Sequence, residues 1–200
     1  MLEKTREQER HSSHDRRSRM LRCVMNRNLT VGIAGHQKRR GLDWNWVNAT
    51  LRAELVALGG VSRALSSLAA GADQRFATVA LELNIPVTAV LPMSGYERFL
   101  RGKDLARYQV LLARCEQLVL DGTGRPNEAF LAAGHYIVDH CDVLFAVWDE
   151  LPAGAMGGTG DVVEYARRSE RRDRVTARYL SLSVVRLTCT GGSDKSAIRF

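Results

Sequence analysis

Asp142-Val143-Leu144-Phe145-Ala146-Val147-Trp148-Asp149, followed by Met156-Gly157-Gly158-Thr159-Gly160-Asp161, decides the fold. The apolar run, rich in β-branched and aromatic residues, predicts a buried strand. The glycines predict a tight backbone path. Val162-Val163-Glu164-Tyr165-Ala166-Arg167 then predicts a helix ending near Arg168. Strand, glycine loop and helix together present free backbone N–H groups to a phosphate.

Upstream the same grammar repeats. Leu29 to Ala34 reads as a first strand, ending in Gly35-His36-Gln37-Lys38-Arg39-Arg40-Gly41. A helix over Asn45–Leu58 carries Trp46, Leu51, Leu55 and Leu58 near helical spacing, and Gly59-Gly60 stops it. Val61 to Leu68 predicts a second strand, closing in Ala69-Ala70-Gly71-Ala72-Asp73. Gln74 to Leu83 predicts a helix and Ile85 to Leu91 a third strand. Short connections make this a βαβαβ run with a parallel sheet and right-handed crossovers. Beyond it, Pro92 to Arg101 is a loop with a helical turn, Leu105 to Glu116 a helix and Gln117 to Leu120 a short strand. Asn127 is the expected cap of a helix running to about His140. Ser169 to Arg178 reads as a helix end and exposed loop, and Tyr179 to Leu187 as the last strand. The fold class is therefore α/β: a Rossmann-like three-layer fold with a mainly parallel sheet.

The 200 residues carry a net charge of +7, unevenly placed. Residues 1–28 hold eight Lys/Arg and four Asp/Glu, and few large apolar residues precede Met20. They read as a disordered basic arm, either a solvated tail or a contact for nucleic acid or anionic lipid. Residues 29–188 form the expected domain, and 189–200 a flexible tail. No apolar run approaches the roughly 20 residues that span a bilayer, so no membrane partner is expected. Cys23, Cys115, Cys141 and Cys189 are scattered without a CxxC pair. Reduced core thiols at Cys115 and Cys141 lead to the expectation of a cytoplasmic protein with no structural metal.

Each loop supplies candidates. Gly157, Gly158 and Gly160 let the backbone approach a phosphate closely, and Thr159 adds a hydroxyl; the alternative is a plain flexible loop. Asp161 binds ribose hydroxyls, holds Mg²⁺ with a bound nucleotide, or only starts the helix. Gly35 closes the first strand, and His36 is placed to bond a phosphate or move a proton. Lys38, Arg39 and Arg40 are cations at the same mouth. Gly71 and Ala72 make the second turn, where Asp73 caps the helix or faces the ligand. Trp148 stacks on a base or packs in the core, beside Asp149. Tyr96 and Tyr108 lie in a segment that is a candidate lid.

Three segments in this order resemble the Rossmann-like SLOG superfamily, which contains the DNA-processing protein A and "lonely guy" phosphoribohydrolase families. They are Val31-Gly32-Ile33-Ala34-Gly35-His36; Ser66 to Asp73 with Ile85 to Leu91; and Asp142 to Asp149 with Gly157-Gly158-Thr159. The resemblance implies a nucleotide-derived ligand at the carboxyl ends of the strands. It places Glu164 where the phosphoribohydrolases carry their catalytic glutamate. The chain departs from both families in the preceding helix. Ala133 and Gly134 stand in place of the hydrolases' Arg-Lys pair, and Ala133-Gly134-His135 in place of the DNA-processing proteins' Arg-Asn-Arg. Asp161 replaces a threonine and Met156 a proline. The leading expectation is binding or sensing of a nucleotide-derived ligand. The alternatives are hydrolysis of a nucleoside 5′-monophosphate, with Asp161 and Glu164 as the catalytic candidates, and single-stranded DNA binding. Expected partners are that small molecule, a second copy of the chain, and nucleic acid through the arm.

Overall fold

The computed structural model describes residues 28–38, 41–122, 124–170, 176–181 and 185–186. The tail 189–200, all of the basic arm except Asn28, and Arg39 and Arg40 lie outside the described residues.

Among the described residues seven strands form one sheet: β1 (Leu29–Gly35), β2 (Val61–Ser66), β3 (Val87–Leu91), β4 (Glu116–Val119), β5 (Val143–Trp148), β6 (Thr176–Ser181) and β7 (Val185–Arg186). Their spatial order is β4-β3-β2-β1-β5-β6-β7. All neighbours pair in parallel except β6 and β7, which are antiparallel. Among the described residues five α-helices cover the sheet: α1 (Trp44–Leu58), α2 (Ala72–Glu82), α3 (Gly102–Leu112), α4 (Pro126–Asp139) and α5 (Thr159–Glu170).

The apolar pattern builds this arrangement. All six residues of β5 are buried, as are all five of β3, as parallel strands covered on both faces require. Successive β5 side chains alternate faces. Val143, Phe145 and Val147 join the layer of α1, α2 and α3, where Phe145 meets Phe76 with ring centroids 5.8 Å apart. Leu144, Ala146 and Trp148 join the layer of α4 and α5, with Ile137 and Val163. Burying one such side chain stabilises the fold by about 1.5–3 kcal/mol.

Local chemistry moves several boundaries from their expected places. The Asp43 carboxylate accepts from the amides of Asn45 (2.9 Å) and Trp46 (3.3 Å), so α1 begins at Trp44. Its buried stripe is Val47, Leu51 and Leu55, whereas Trp46 is 37% exposed. β2 stops at Ser66 rather than Leu68. The buried Ser66 hydroxyl accepts from Leu68 N and donates to the Asp73 carbonyl, folding the strand end into a turn. Asn127 is not the cap of α4. Arg125 stands at that position in extended backbone and Pro126 opens the helix, where its missing N–H costs nothing. The stretch expected as a loop to Arg178 becomes strand from Thr176, and the last strand divides into β6 and β7.

Candidate functional site

In the sheet order, β1 and β5 are neighbours from which the chain departs in opposite directions. An open α/β sheet leaves a crevice outside the carboxyl ends of such strands. The crevice here is a cleft of about 660 Å³. All three expected loops reach it. Gly35 and His36 come from the end of β1, Asp73 from the start of α2, and Asp149, Gly157, Gly158, Thr159 and Gly160 from the loop after β5.

His36 and Asp149 tie β1 to β5 at this point. His36 Nε2 lies 3.0 Å from Asp149 Oδ1 and 3.2 Å from the Asp149 amide. A deprotonated Nε2 accepts the amide, and a protonated one donates to the carboxylate. Asp149 Oδ1 also accepts from Leu151 N at 3.2 Å, which shapes the start of the following loop.

The glycine loop ends as an α-helix N-terminus. α5 begins at Thr159, earlier than the expected Val162, so Thr159 and Gly160 are its first residues. Asp161 reaches back and accepts from the Gly157 amide at 2.9 Å. Its carboxylate thus occupies one of the donors that the loop would offer an anion. Among the described residues the amides of Thr159 and Gly160 have no acceptor, and both residues line the cleft.

Asp73 does not cap α2. Gly71 holds the cap position without a side-chain bond, and Asp73 lies one residue inside the helix. Asp73 is buried, accepts from the Ser67 hydroxyl at 2.7 Å and lines the cleft. Burial pushes its carboxyl from 3.8 up to about 7, against the bonds from Ser67. The buried Tyr96 phenol beside it is pushed up as well, first by burial and then by the Asp73 charge.

Other candidates stand elsewhere. Trp148 is buried, donates from Nε1 to the Leu151 carbonyl at 2.7 Å, and lies under the Arg167 guanidinium on the α4–α5 side. It does not line the cleft. Ala72 is fully buried behind the cleft and donates its amide to the His36 carbonyl. Gly71 faces a separate recess. Its φ is +90°, and a Cβ there would lie 2.4 Å from the Gln37 carbonyl oxygen, so only glycine fits. Glu164 is exposed on α5, paired with Arg168 at 3.2 Å, and outside the cleft lining. Tyr96 and Tyr108, expected in a candidate lid, are buried and packed edge to face.

A wall of Tyr96, Phe99 and Phe130 is the feature that sequence reading missed as a unit. Their ring centroids lie 5.2–6.2 Å apart. Phe130 comes from α4 and the other two from the 3₁₀ turn Tyr96–Phe99. The two positions that the resemblance matched to an Arg-Lys pair, Ala133 and Gly134, lie on α4, and a Cβ on Gly134 would meet Val162 Cγ2 at 2.4 Å. Neighbouring Ala133 is buried, and His135 stacks on Tyr165 with centroids 3.8 Å apart. No lysine or arginine lines the cleft among the described residues. Nor does any group of three or more His, Cys, Asp or Glu converge among them. Asp161, the expected ligand of a nucleotide-bound Mg²⁺, bonds the Gly157 amide and lies outside the lining.

No protein-family model and no curated protein matches the chain by sequence. The fold is similar to the X-ray structure of DNA processing protein A from Streptococcus pneumoniae, with TM-score 0.53 and 17% identity. That match covers 76% of this chain and 50% of the other, so the chain spans about half the length of that protein. The Helicobacter pylori DNA processing protein A superposes with TM-score 0.50 at 14% identity, over 78% of this chain and 66% of that one. A molybdenum cofactor binding protein from Rippkaea orientalis gives 0.47 at 16% identity, over 78% and 79%. At these identities the likeness shows the fold alone, the Rossmann-like α/β arrangement expected from the strand and helix order. No helix among the described residues is long and apolar enough to cross a membrane.

Proposed function

We propose that the cleft binds a small nucleotide-derived ligand, and that recognition rather than hydrolysis is its function. The observation that carries this reading is the convergence of three sequence-distant turns on one cavity with both an apolar and a donor wall. A cavity of about 660 Å³ suits a ligand of nucleotide size. The Tyr96–Phe99–Phe130 wall fits a base, and the Thr159 and Gly160 amides at a helix N-terminus fit one phosphate oxygen set. Hydrolysis at Glu164 lacks support, because that carboxylate is paired on the exposed face of α5. The acidic groups of the cleft are Asp73, whose burial favours its protonated form, and Asp149, which pairs with His36.

A thermal-shift screen of nucleotides, nucleotide sugars and cyclic dinucleotides tests the reading. A true ligand raises Tm in a concentration-dependent way. Thr159→Glu places a carboxylate over the two amides while favouring the helix start, and the shift disappears in that variant. A screen with no shift, or a shift that survives Thr159→Glu, defeats the proposal. Adenine release from AMP, stopped by Glu164→Ala, would instead establish the hydrolase. Single-stranded DNA, the ligand named for the Helicobacter pylori protein, belongs in the same screen.

A further inference from the structure

A second cavity of about 390 Å³ opens beside the cleft at the same edge of the sheet. The two share only Gln37 in their linings. The recess is bounded by Gln37, Lys38, Trp44, Gly71, Arg75, Lys103, Asp104 and Arg107, which set four cations against one carboxylate. Lys38 was expected at the mouth of the cleft; the turn after β1 carries it over to the recess.

Arg75 is the centre of the cluster. Its guanidinium carbon sits 4.5 Å above the Trp44 ring. Its Nε is buried with no acceptor among the described residues. Burial and then the Arg107 charge press its pKa down, against the pull of Asp104. The side chain that anchors the neighbouring backbone, Gln74, bonds the Asp104 carbonyl at 2.9 Å, so α2 and α3 hold the cations in a fixed relation. Like charges gathered round a concave surface raise a positive potential that attracts an anion. A buried donor left unmade carries a desolvation cost that an anion would relieve.

From this arrangement we infer that the recess formed by Lys38, Arg75, Lys103 and Arg107 is a second ligand site, selective for a compact phosphoryl anion such as a diphosphate. Planar guanidiniums suit the spread oxygens of a phosphoryl group, and Lys103 adds a point charge at the rim. The carboxylate-bearing cleft and the cationic recess thereby divide the edge of the sheet into two chemically different pockets. The diphosphate is either free or the end of a nucleotide that passes over Gln37.

The test is a calorimetric titration of the full chain with inorganic pyrophosphate, in wild type, in Lys103→Glu/Arg107→Glu and in Thr159→Glu. Both charge-reversed residues are exposed, and unfolding curves confirm that the variants fold. We expect saturable one-to-one binding in wild type and in Thr159→Glu. Losing two charge-assisted partners should weaken it by about tenfold or more in the double variant. No saturable binding in wild type overturns the inference, as does binding that survives the double variant. Loss in Thr159→Glu alone would move the anion to the cleft, overturning this site while supporting the cleft reading. Pyrophosphate binding without any response in the nucleotide screen would keep the recess and remove the cleft proposal. A nucleoside diphosphate weakened by both sets of variants identifies the bridging ligand, and one weakened by the double variant alone identifies the free anion's site.

Discussion

At the residue scale the most informative side chain is Asp73. Its sequence neighbourhood, Gly71-Ala72-Asp73, has the form of a helix start, and the cap reading follows from that form. Capping is decided by where a chain turns, and the Ser66 hydroxyl turns it early. Asp73 is thereby placed in the interior against Ser67, where its carboxyl keeps its proton up to about pH 7. The unfolded chain releases that proton near the ordinary value of 3.8. Between those two values the unfolded state binds fewer protons, so this residue's contribution to stability falls as pH rises. The local slope approaches about 1.4 kcal/mol per pH unit and flattens above the folded value. Asp73→Asn keeps a partner for the Ser67 hydroxyl but cannot ionise. Urea unfolding of both proteins across this range should show wild-type stability declining relative to the variant from about pH 4 to about pH 7. A constant difference would mean that Asp73 enters the fold already ionised.

At the scale of elements, the strands were more legible than the joints. β1, β3 and β5 announce themselves because a parallel strand covered on both faces reads as a near-continuous apolar run. Helix starts are less visible, because Asp43 and Arg125 hold the same cap position with different chemistry. The aromatic wall was illegible for a different reason. Phe99 and Phe130 are distant in sequence and belong to elements whose meeting is set by the sheet order. The glycine loop shows how an element start shapes binding. Asp161 stabilises α5 through the Gly157 amide, and its charge opposes an anion at Thr159 and Gly160. Asp161→Asn retains an acceptor without the charge, so it should tighten a phosphate-bearing cleft ligand while leaving stability nearly unchanged. Asp161→Ala should lower stability by about 1 kcal/mol, the usual cost of a lost helix cap. Chemical denaturation of both variants, paired with titration of the screen's best ligand, checks this. Equal ligand affinity in Asp161→Asn and wild type would show that the carboxylate charge does not reach the anion.

For the whole molecule, the central question is how a basic chain carries a cleft without lysine or arginine in its described lining. The answer is that charge and cavity are sorted. Part of the +7 lies in the first 28 residues, and four cations crowd the recess, while the cleft holds Asp73 and Asp149. Sequence reading assigned the phosphate role to the glycine loop because glycines mark backbone exposure. It could not assign one to the recess, whose cations come from the β1 turn, α2 and α3. This sorting separates two kinds of binding by their response to salt. Cleft recognition through amides and aromatic contacts should vary little with ionic strength, since neither wall relies on mobile cations. If the arm binds single-stranded DNA, that binding should fall steeply with salt, because each neutralised phosphate releases a counter-ion. Deleting residues 1–27 should therefore abolish salt-sensitive DNA binding measured by fluorescence anisotropy. It should leave the Tm shift from a cleft ligand intact, because the cleft is lined by residues between Ile33 and Val162. DNA affinity that persists after the deletion and instead drops in Lys103→Glu/Arg107→Glu would reassign nucleic-acid contact from the arm to the recess.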